Sequence, residues 1–245
     1  GVIEMHEKPA EAVRAKPDSS LVAAVRAVAD GEADAVLSAG NTGAMLAAGL
    51  LHLRRLKGVM RPAIAVPIPA RQGPSVLLDA GANADARPEH LVQFAHMGAV
   101  FSREILGVAE PQVRLLSIGE EDEKGNQLTL EAHRLLREER GIAFAGNAES
   151  RALMLAQADV VVTDGFTGNV ALKTMEGSMR TLVAAIIRLL GEAGQLDEVL
   201  PTLLPLYGDV DPENTGGAVL LGVEGMCIIS HGSSSAVAML NACRV

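Results

Sequence analysis

The chain has 245 residues, which is long enough to bury a large core in one or two domains. Hydrophobic residues make up 49% and charged residues 21%, as is typical of a globular protein. The formal net charge of −9 argues against non-specific nucleic-acid binding, which depends on a basic surface. Aromatic residues are only 2% and tryptophan is absent, so stacking platforms for bases are scarce as well.

Cysteine content and the longest uncharged stretch give expectations about the compartment. Cys227 lies in the apolar run Met226–Ile229, which favours a buried hydrophobic role, and nothing indicates a disulfide framework. Residues 1–7 are polar and acidic and predict no signal peptide. Residues 35–53 carry no formal charge but are interrupted by polar and glycine positions, unlike a membrane span of about 20 apolar residues. We therefore expect a cytoplasmic type of protein.

The first strand–loop–helix unit ends in a glycine-rich loop. Residues 18–20 supply N-cap candidates for a helix over Leu21–Ala29, and a strand follows at Ala33–Leu37. A second helix is predicted from about Ala44 to Leu56. The loop between strand and helix offers hydroxyl and amide donors, and its glycines let backbone N–H groups approach a ligand. These loop residues are Ser38, Gly40, Asn41, Thr42 and Gly43.

Two further strands, Pro62–Pro67 and Ser75–Asp79, precede a helix from Pro88 to about Ile105. Ligands of open α/β sheets collect at the carboxyl ends of strands. The pattern therefore predicts one crevice that joins the glycine loops to four polar residues, which are Asp79, Asn83, Asp85 and His90. For each residue separately, the alternative is helix capping or a satisfied internal hydrogen bond.

Strands at Val113–Ile118 and Ile142–Ala145 flank a helix predicted over Gln127–Arg140. Their carboxyl-end loops add further polar residues to the rim of the crevice, namely Lys124, Asn126, Asn147, Glu149 and Arg151. The acidic run at 120–123 has two interpretations, a divalent-cation site and a solvated loop or helix start.

Residues 158–177 are the stretch on which the predicted anion site mainly depends. Val160–Val162 is β-branched and indicates a central strand buried on both faces. We expect a turn at Asp164 and Gly165, and a helix opened by Thr167, Gly168 and Asn169. Unpaired N–H groups and the helix dipole at such a start favour an anion, and Lys173 one turn further on adds positive charge. The alternative is an ordinary turn in which the glycines serve only chain reversal.

A helical hairpin over residues 172–206 is predicted next. A helix at Leu172–Leu190 is followed by a break at 191–194 and a second apolar segment that contains Pro201 and Pro205. Its leucines indicate packing in the core or in a dimer, and the alternative is peripheral contact with a membrane. Strands within 215–222 and 226–230, a loop at 231–235 and a helix over Ala236–Ala242 close the chain.

The chemistry of these loops suits an oxyanion. Neutral donors, Lys124 and Lys173 and two histidines can hold phosphate and stabilise charge at a reacting carbonyl, whereas no zinc-spacing motif is present. The residues alone thus indicate an enzyme that handles a phosphate or an acidic small molecule. We predict an α/β fold, a three-layer α/β/α arrangement with a mostly parallel sheet.

Motifs along the whole chain closely resemble the PlsX family, the bacterial phosphate acyltransferases of phospholipid synthesis. They are SAGNTGA at 38–44, LLDAGAN at 77–83, RPEHL at 87–91, IGEE at 118–121, KGN at 124–126, GN at 146–147 with Glu149, DGFTGNV at 164–170, LKT at 172–174 and SHGSS at 230–234. The resemblance implies transfer of a fatty acyl group from acyl carrier protein to inorganic phosphate, with no cofactor. It also implies an isocitrate/isopropylmalate-dehydrogenase-like fold, a homodimer, loose association with the inner face of the cell membrane and contact with the next acyltransferase.

One departure from the family concerns the beginning of the chain. The family's glycine-rich segment of Met-Gly-Gly-Asp type has no counterpart here. The expectation is a single α/β catalytic domain over residues 1–245. If the segment is absent from the molecule itself, part of the active site is missing and activity is in doubt.

Roles follow from the resemblance and from the loop chemistry together. Phosphate attacks the thioester directly, so no acyl-enzyme is required. The resemblance assigns charge stabilisation to Lys124 and Lys173, and proton transfer or orientation to His231 or His90. Substrate-binding residues are predicted to be Ser38, Asn41, Thr42, Gly43, Asp79, Asn83, Asn126, Asn147, Asp164, Gly165, Thr167, Gly168, Asn169 and Ser233.

Three alternatives remain open from the sequence. A phosphotransacetylase-like enzyme using acyl-CoA would share the fold and the anion site. A metal- and NAD-dependent dehydrogenase would need converging aspartates, which the sequence does not indicate. A scaffold that retains only dimerisation and membrane contact is the non-enzymatic alternative.

Overall fold

A computed structural model describes residues 1–69, 73–155, 157–210, 217–230, 232 and 234–244, with the backbone alone for 205–210. The strands in this part of the chain are β1 Ala35–Ser38, β2 Ala63–Ile68, β3 Ser75–Leu78, β4 Gln112–Leu116, β5 Ala143–Ala148, β6 Val160–Val162, β7 Ala218–Leu221 and β8 Met226–Ile229. They form one sheet in the order β1-β8-β7-β2-β3-β6-β4-β5.

The helices of the same part are α1 Pro9–Ala15, α2 Ser20–Ala29, α3 Thr42–Ala48, α4 Pro88–Glu104, α5 Gln127–Glu138, α6 Ala152–Leu155, α7 Gly165–Glu192, α8 Leu196–Val210 and α9 Ala236–Ala242. A π-helical turn, Gly49–Leu53, continues α3. The predicted helix from Ala44 to Leu56 is therefore shorter as an α-helix and begins two residues earlier.

Helices cover both faces of the sheet, which confirms the predicted three-layer α/β arrangement. On one face α2, α3 and the first turns of α7 contribute Val22, Met45 and Leu172 to a buried cluster. On the other face α4 and α5 contribute Phe94 and Leu136. Val160–Val162 of β6 has no exposed surface, as its β-branched sequence predicts.

Strand direction sets the position of every loop. The pairs β1–β8, β3–β6, β4–β6 and β4–β5 are parallel, whereas β2–β3, β2–β7 and β7–β8 are antiparallel. As a result β1, β8 and β2 run against the other five strands. The loop after β1 thus leaves the edge of the sheet opposite to the loops after β3, β4, β5 and β6, which corrects the prediction of one shared carboxyl-end crevice.

A helical hairpin projects from the sheet. Helices α7 and α8 pack on each other and are joined by residues 193–195. Within α7 only Gly165, Gly168 and Leu172 are buried, so everything beyond its second turn is at least partly accessible. No helix in the described ranges is both long and apolar enough to cross a membrane.

Candidate active site

A groove of about 330 Å³ lies on the face of the sheet that α7 crosses. Strand β2 forms its floor with Ile64, Val66 and Ile68, and α7 lies along one side. The other side consists of the loop after β1 and the residues after β8. The β1 loop and the start of α7 belong to opposite edges, so they meet across the face of the sheet and not at a common edge.

Helix α7 presents a polar stripe to this groove. Asn169, Lys173, Glu176 and Arg180 line the groove, and their spacing of three and four residues places them on one helical face. Lys173 Nζ donates to Glu176 Oε2 at 2.8 Å. Among the described residues Arg180 has no ion-pair partner, and the stripe carries one net positive charge.

Asn169 and Lys173, which the sequence predicts at the phosphate site, both line the groove. Phosphate binding by these two residues stays a prediction. A Cβ built on Gly81 would lie 3.3 Å from Asn169 Nδ2, so this glycine gives the amide its space. Sequence reasoning missed Glu176 and Arg180. The helical spacing from Asn169 could have found them, since each residue lies about one turn beyond the previous one.

The loop after β1 contributes only part of its predicted set. Thr42 and Gly43 line the groove, together with Gly40. Asn41 is buried instead: its Oδ1 accepts from Ala44 N at 3.0 Å, and its Nδ2 donates to the carbonyls of residues 4 and 5 at 3.2 Å. Ser38 Oγ accepts from Gly40 N at 3.1 Å. Asn41 therefore caps α3, and Ser38 shapes the turn before it.

Asp79 and Asn83 hold a loop together and do not face the groove. Asp79 is completely buried, and its Oδ1 accepts from the backbone N–H groups of Ile64, Gly81 and Ala82. Its Oδ2 accepts from Asn83 N at 2.7 Å and Asn83 Nδ2 at 2.8 Å. With its oxygens occupied in this way, Asp79 has no free face for a ligand, and the predicted substrate contact is corrected to a structural role.

The start of α7 differs most from its prediction. The helix begins at Gly165, and the Asp164 carboxylate accepts from Thr167 N at 2.8 Å and from Thr167 Oγ1 at 2.7 Å. A carboxylate already caps this helix end. Asp164, Gly165, Thr167 and Gly168 thus form a capped helix start that does not line the groove, and anion binding by these residues stays a prediction.

The two buried glycines of α7 allow a close approach instead. A Cβ on Gly168 would lie 2.0 Å from the Asp79 carbonyl oxygen, and one on Gly165 would lie 2.8 Å from Asn83 N. Only glycine fits where α7 crosses the end of β3. These residues dock the helix on the sheet and thereby position the polar stripe.

The loop after β4 and the end of β5 carry a separate set of polar residues. Asn126 caps α5 by accepting from Thr129 N at 3.0 Å. Asn147 is buried, with Oδ1 2.8 Å from His133 Nδ1 and Nδ2 donating to the Glu121 carbonyl at 2.7 Å. Lys124 is exposed in this loop and does not line the groove. β3 and β6 separate β4 from β2, so the three predicted residues are not gathered at the groove.

The histidine predictions have different outcomes. His90 is buried in the first turn of α4, and its Nδ1 accepts from Arg87 N at 3.1 Å. Burial, together with the charges of Arg61 and Arg87, lowers the pKa of His90. Its role is thus to cap α4. His231 and Ser233 lie outside the described residues.

The acidic run at 120–123 makes surface ion pairs. Glu120 pairs with Arg151 at 3.5 Å, and Asp122 contacts Arg137. Within the described ranges, no three His, Cys, Asp or Glu side chains are grouped so as to hold a metal ion. The solvated-loop interpretation describes this segment.

The α/β fold of this chain is similar to that of solved phosphotransacetylases. The structure is similar to the phosphotransacetylase from Streptococcus pyogenes, with a TM-score of 0.61, 17% identity and coverage of 96% of this chain and 68% of that one. It is also similar to the EutD phosphotransacetylase from Staphylococcus aureus, with a TM-score of 0.59, 16% identity and the same coverage. At these identities the likeness concerns the fold alone.

Sequence similarity identifies the family. A family described as "Fatty acid synthesis protein" matches residues 1–245. The phosphate acyltransferase of Desulfitobacterium hafniense (strain Y51) is 50% identical over 254 aligned residues, which cover 100% of this chain and 74% of that protein. The phosphate acyltransferase of Thermosynechococcus vestitus is 50% identical over 250 residues, covering 100% of this chain and 73% of that protein. The chain belongs to the PlsX family of phosphate acyltransferases, and its class is acyltransferase.

Proposed function

We propose that the protein transfers a fatty acyl group from acyl carrier protein to inorganic phosphate and that the groove between β2 and α7 is where the two substrates meet. The observation that carries this proposal is the cationic stripe of α7 beside an apolar floor, in a chain of the phosphate acyltransferase family. One phosphate oxygen attacks the thioester carbonyl, the C–S bond breaks, and the phosphate proton leaves with the sulfur. The products are acyl phosphate and free carrier thiol.

In this reaction the charged residues of the groove bind phosphate, and neutral donors stabilise the oxyanion. Lys173 and Arg180 attract the phosphate dianion, and Asn169 adds a neutral donor. Ser230 and Ser234, whose hydroxyl oxygens are 2.7 Å apart, line the groove on the β8 side and supply donors for the developing oxyanion. Holding both substrates on a preformed surface lowers the entropic part of the barrier.

The test is an assay in which the full-length protein releases free thiol from an acyl donor, measured at varied phosphate concentration. Acyl carrier protein and coenzyme A carrying the same acyl group are compared as donors, and the acyl phosphate is trapped with hydroxylamine. We expect release that saturates with phosphate and prefers the carrier protein. Preference for the coenzyme A thioester would favour the phosphotransacetylase-like alternative, which the similar folds support. No phosphate dependence with either donor would contradict the proposal.

Direct transfer predicts that both cysteines are dispensable. Burial raises the pKa of the Cys227 thiol to about 12, so almost none of it is thiolate at neutral pH. Cys243 is exposed directly after the closing helix and does not line the groove. Cys227→Ala and Cys243→Ala should each retain kcat within about threefold, since no covalent intermediate is lost. Radiolabelled acyl group trapped on either cysteine during turnover would contradict direct transfer.

The projecting hairpin supports two further proposals, a homodimer and peripheral contact with the inner face of the cell membrane. Leu182, Leu189 and Leu204 are 61%, 56% and 56% exposed on α7 and α8. An apolar surface of this kind is typical of a protein partner or a lipid interface. At the membrane the acyl phosphate would pass directly to the acyltransferase that consumes it.

The double variant Leu182→Glu with Leu204→Glu tests the hairpin without disturbing its inner face, because both side chains are exposed. We expect the partition coefficient for anionic phospholipid vesicles to fall by about a hundredfold, since two buried leucines are together worth roughly 3 kcal/mol or more. Light scattering at micromolar concentration measures the dimer in the same samples. Leu155→Glu, at a residue 55% exposed on α6, is the matched control. Unchanged vesicle binding and unchanged mass would remove both proposals.

A further inference from the structure

The floor of the groove is an unusual opening in the sheet. β2 is the fourth of eight strands, so both of its faces would ordinarily be covered. Ile64, Val66 and Ile68 alternate onto the same face and line the groove, and Val66 at the middle is only half-buried. Ile64 and Ile68 are buried, so the accessible apolar surface of the floor lies at Val66.

Helix α7 continues this strip with a second, apolar stripe. Leu172, Met175 and Met179 are three and four residues apart and line the groove beside the polar stripe of Asn169, Lys173, Glu176 and Arg180. Charged and apolar stripes therefore run next to each other along one helix. The groove is amphipathic along its length.

This arrangement complements the two parts of the reacting pair. A phosphate held at Lys173 places the thioester carbonyl beside it, and the acyl chain then lies on the apolar side of the same groove. Ile64 to Ile68 span about 13 Å of strand, and Leu172 to Met179 span about 10 Å of helix. Over these lengths the accessible apolar surface comes from Val66, Met175 and Met179, which are half-buried, and methionine side chains adapt to chains of different shape.

We infer that the apolar side of the groove binds the fatty acyl chain of the donor and that Met175 and Met179 determine which chain lengths are accepted. The inference rests on the proposed acyl transfer. Met179 is the residue farther along α7 from Lys173, so it contacts the distal part of a long chain. Met175 contacts the part nearer the carbonyl.

The first experiment compares octanoyl and hexadecanoyl donors with the full-length protein. Met179→Trp should lower kcat/KM for hexadecanoyl by about tenfold or more relative to octanoyl, because the larger side chain blocks the distal part of the groove. Met179→Ala should shift the preference toward the longer chain. The KM for phosphate should not change in either variant. An equal loss for both donors, or an unchanged ratio, would overturn the inference and leave the transfer reaction standing.

The second experiment measures binding without turnover. The chain contains no tryptophan, so Met179→Trp places a single fluorescent reporter in the groove. A brominated fatty acid should quench this fluorescence in a saturable manner. Met154→Trp is the matched control, since Met154 is 39% exposed on α6 and does not line the groove. Equal quenching in the two variants, or none in Met179→Trp, would overturn the inference even if the protein transferred no acyl group to phosphate.

Discussion

Lys173→Met should raise the KM for phosphate by about tenfold to a hundredfold while leaving the KM for the acyl donor within about threefold. A hydrogen bond to a charged group is worth roughly 1.5–3 kcal/mol, and the substitution also removes the positive charge that balances Glu176. The net charge of the stripe falls from one to zero, so long-range attraction of the phosphate weakens as well. Steady-state kinetics at varied phosphate concentration measure the effect.

A second substitution separates the two contributions. Glu176→Gln in the Lys173→Met background restores the net positive charge of the stripe without restoring the ammonium donor. Part of the lost phosphate affinity should return. Lys57→Met, at an exposed lysine outside the groove, should behave as the unmodified protein. A normal phosphate KM in Lys173→Met, with unchanged thermal stability, would show that Lys173 only covers apolar surface and would move the anion site toward Thr42 and Gly43.

Asp79→Ala should destabilise the fold by at least about 3 kcal/mol. The carboxylate accepts from four backbone N–H groups and from the Asn83 side chain, all at or near the crossing of α7 over β3. Alanine leaves several of these donors buried without a partner, at a cost of about 1–3 kcal/mol each where water cannot replace the acceptor. The melting temperature should fall by roughly 6–12 °C in a chain of this size.

Asp85→Ala is the matched control for this substitution, because Asp85 lies in the same connection before α4 but is exposed. It should change the free energy of unfolding by less than about 0.5 kcal/mol. Differential scanning calorimetry of both variants measures the difference. Equal melting temperatures for Asp79→Ala and the unmodified protein would contradict the structural role assigned to Asp79, and the predicted substrate contact would then regain support.

Local residue pattern predicted most of the helices and strands. The helix expected from Pro88 to about Ile105 is found at Pro88–Glu104, and the strand at Val160–Val162 has the predicted bounds. Proline at a first helical position and a short β-branched run each restrict the backbone locally, so no distant contact is needed to read them. The motifs likewise identified the family, which the similar proteins confirm.

The candidate site was predicted less completely. Thr42, Gly43, Asn169 and Lys173 lie at the groove, whereas Asp79, Asn83, Asn126, Asn147 and His90 have their hydrogen bonds within loops or caps. In the sequence, a polar residue that follows a strand is equally consistent with a ligand contact and with an internal hydrogen bond in a loop or cap. The partner that satisfies each one comes from a segment distant in the chain, such as Ile64 for Asp79.

The sequence by itself determined the α/β class, most of the helices and strands, and membership in the phosphate acyltransferase family, because these depend on local residue pattern and on motifs in order. Only the tertiary structure decided the direction of β2 relative to β3, since an extended strand has the same residue alternation whether it pairs parallel or antiparallel. That direction places the loop after β1 at the opposite edge from the start of α7. It is therefore the packing of α7 against the end of β3, through Gly165 and Gly168, that places α7 beside β2 and decides which polar residues line the groove.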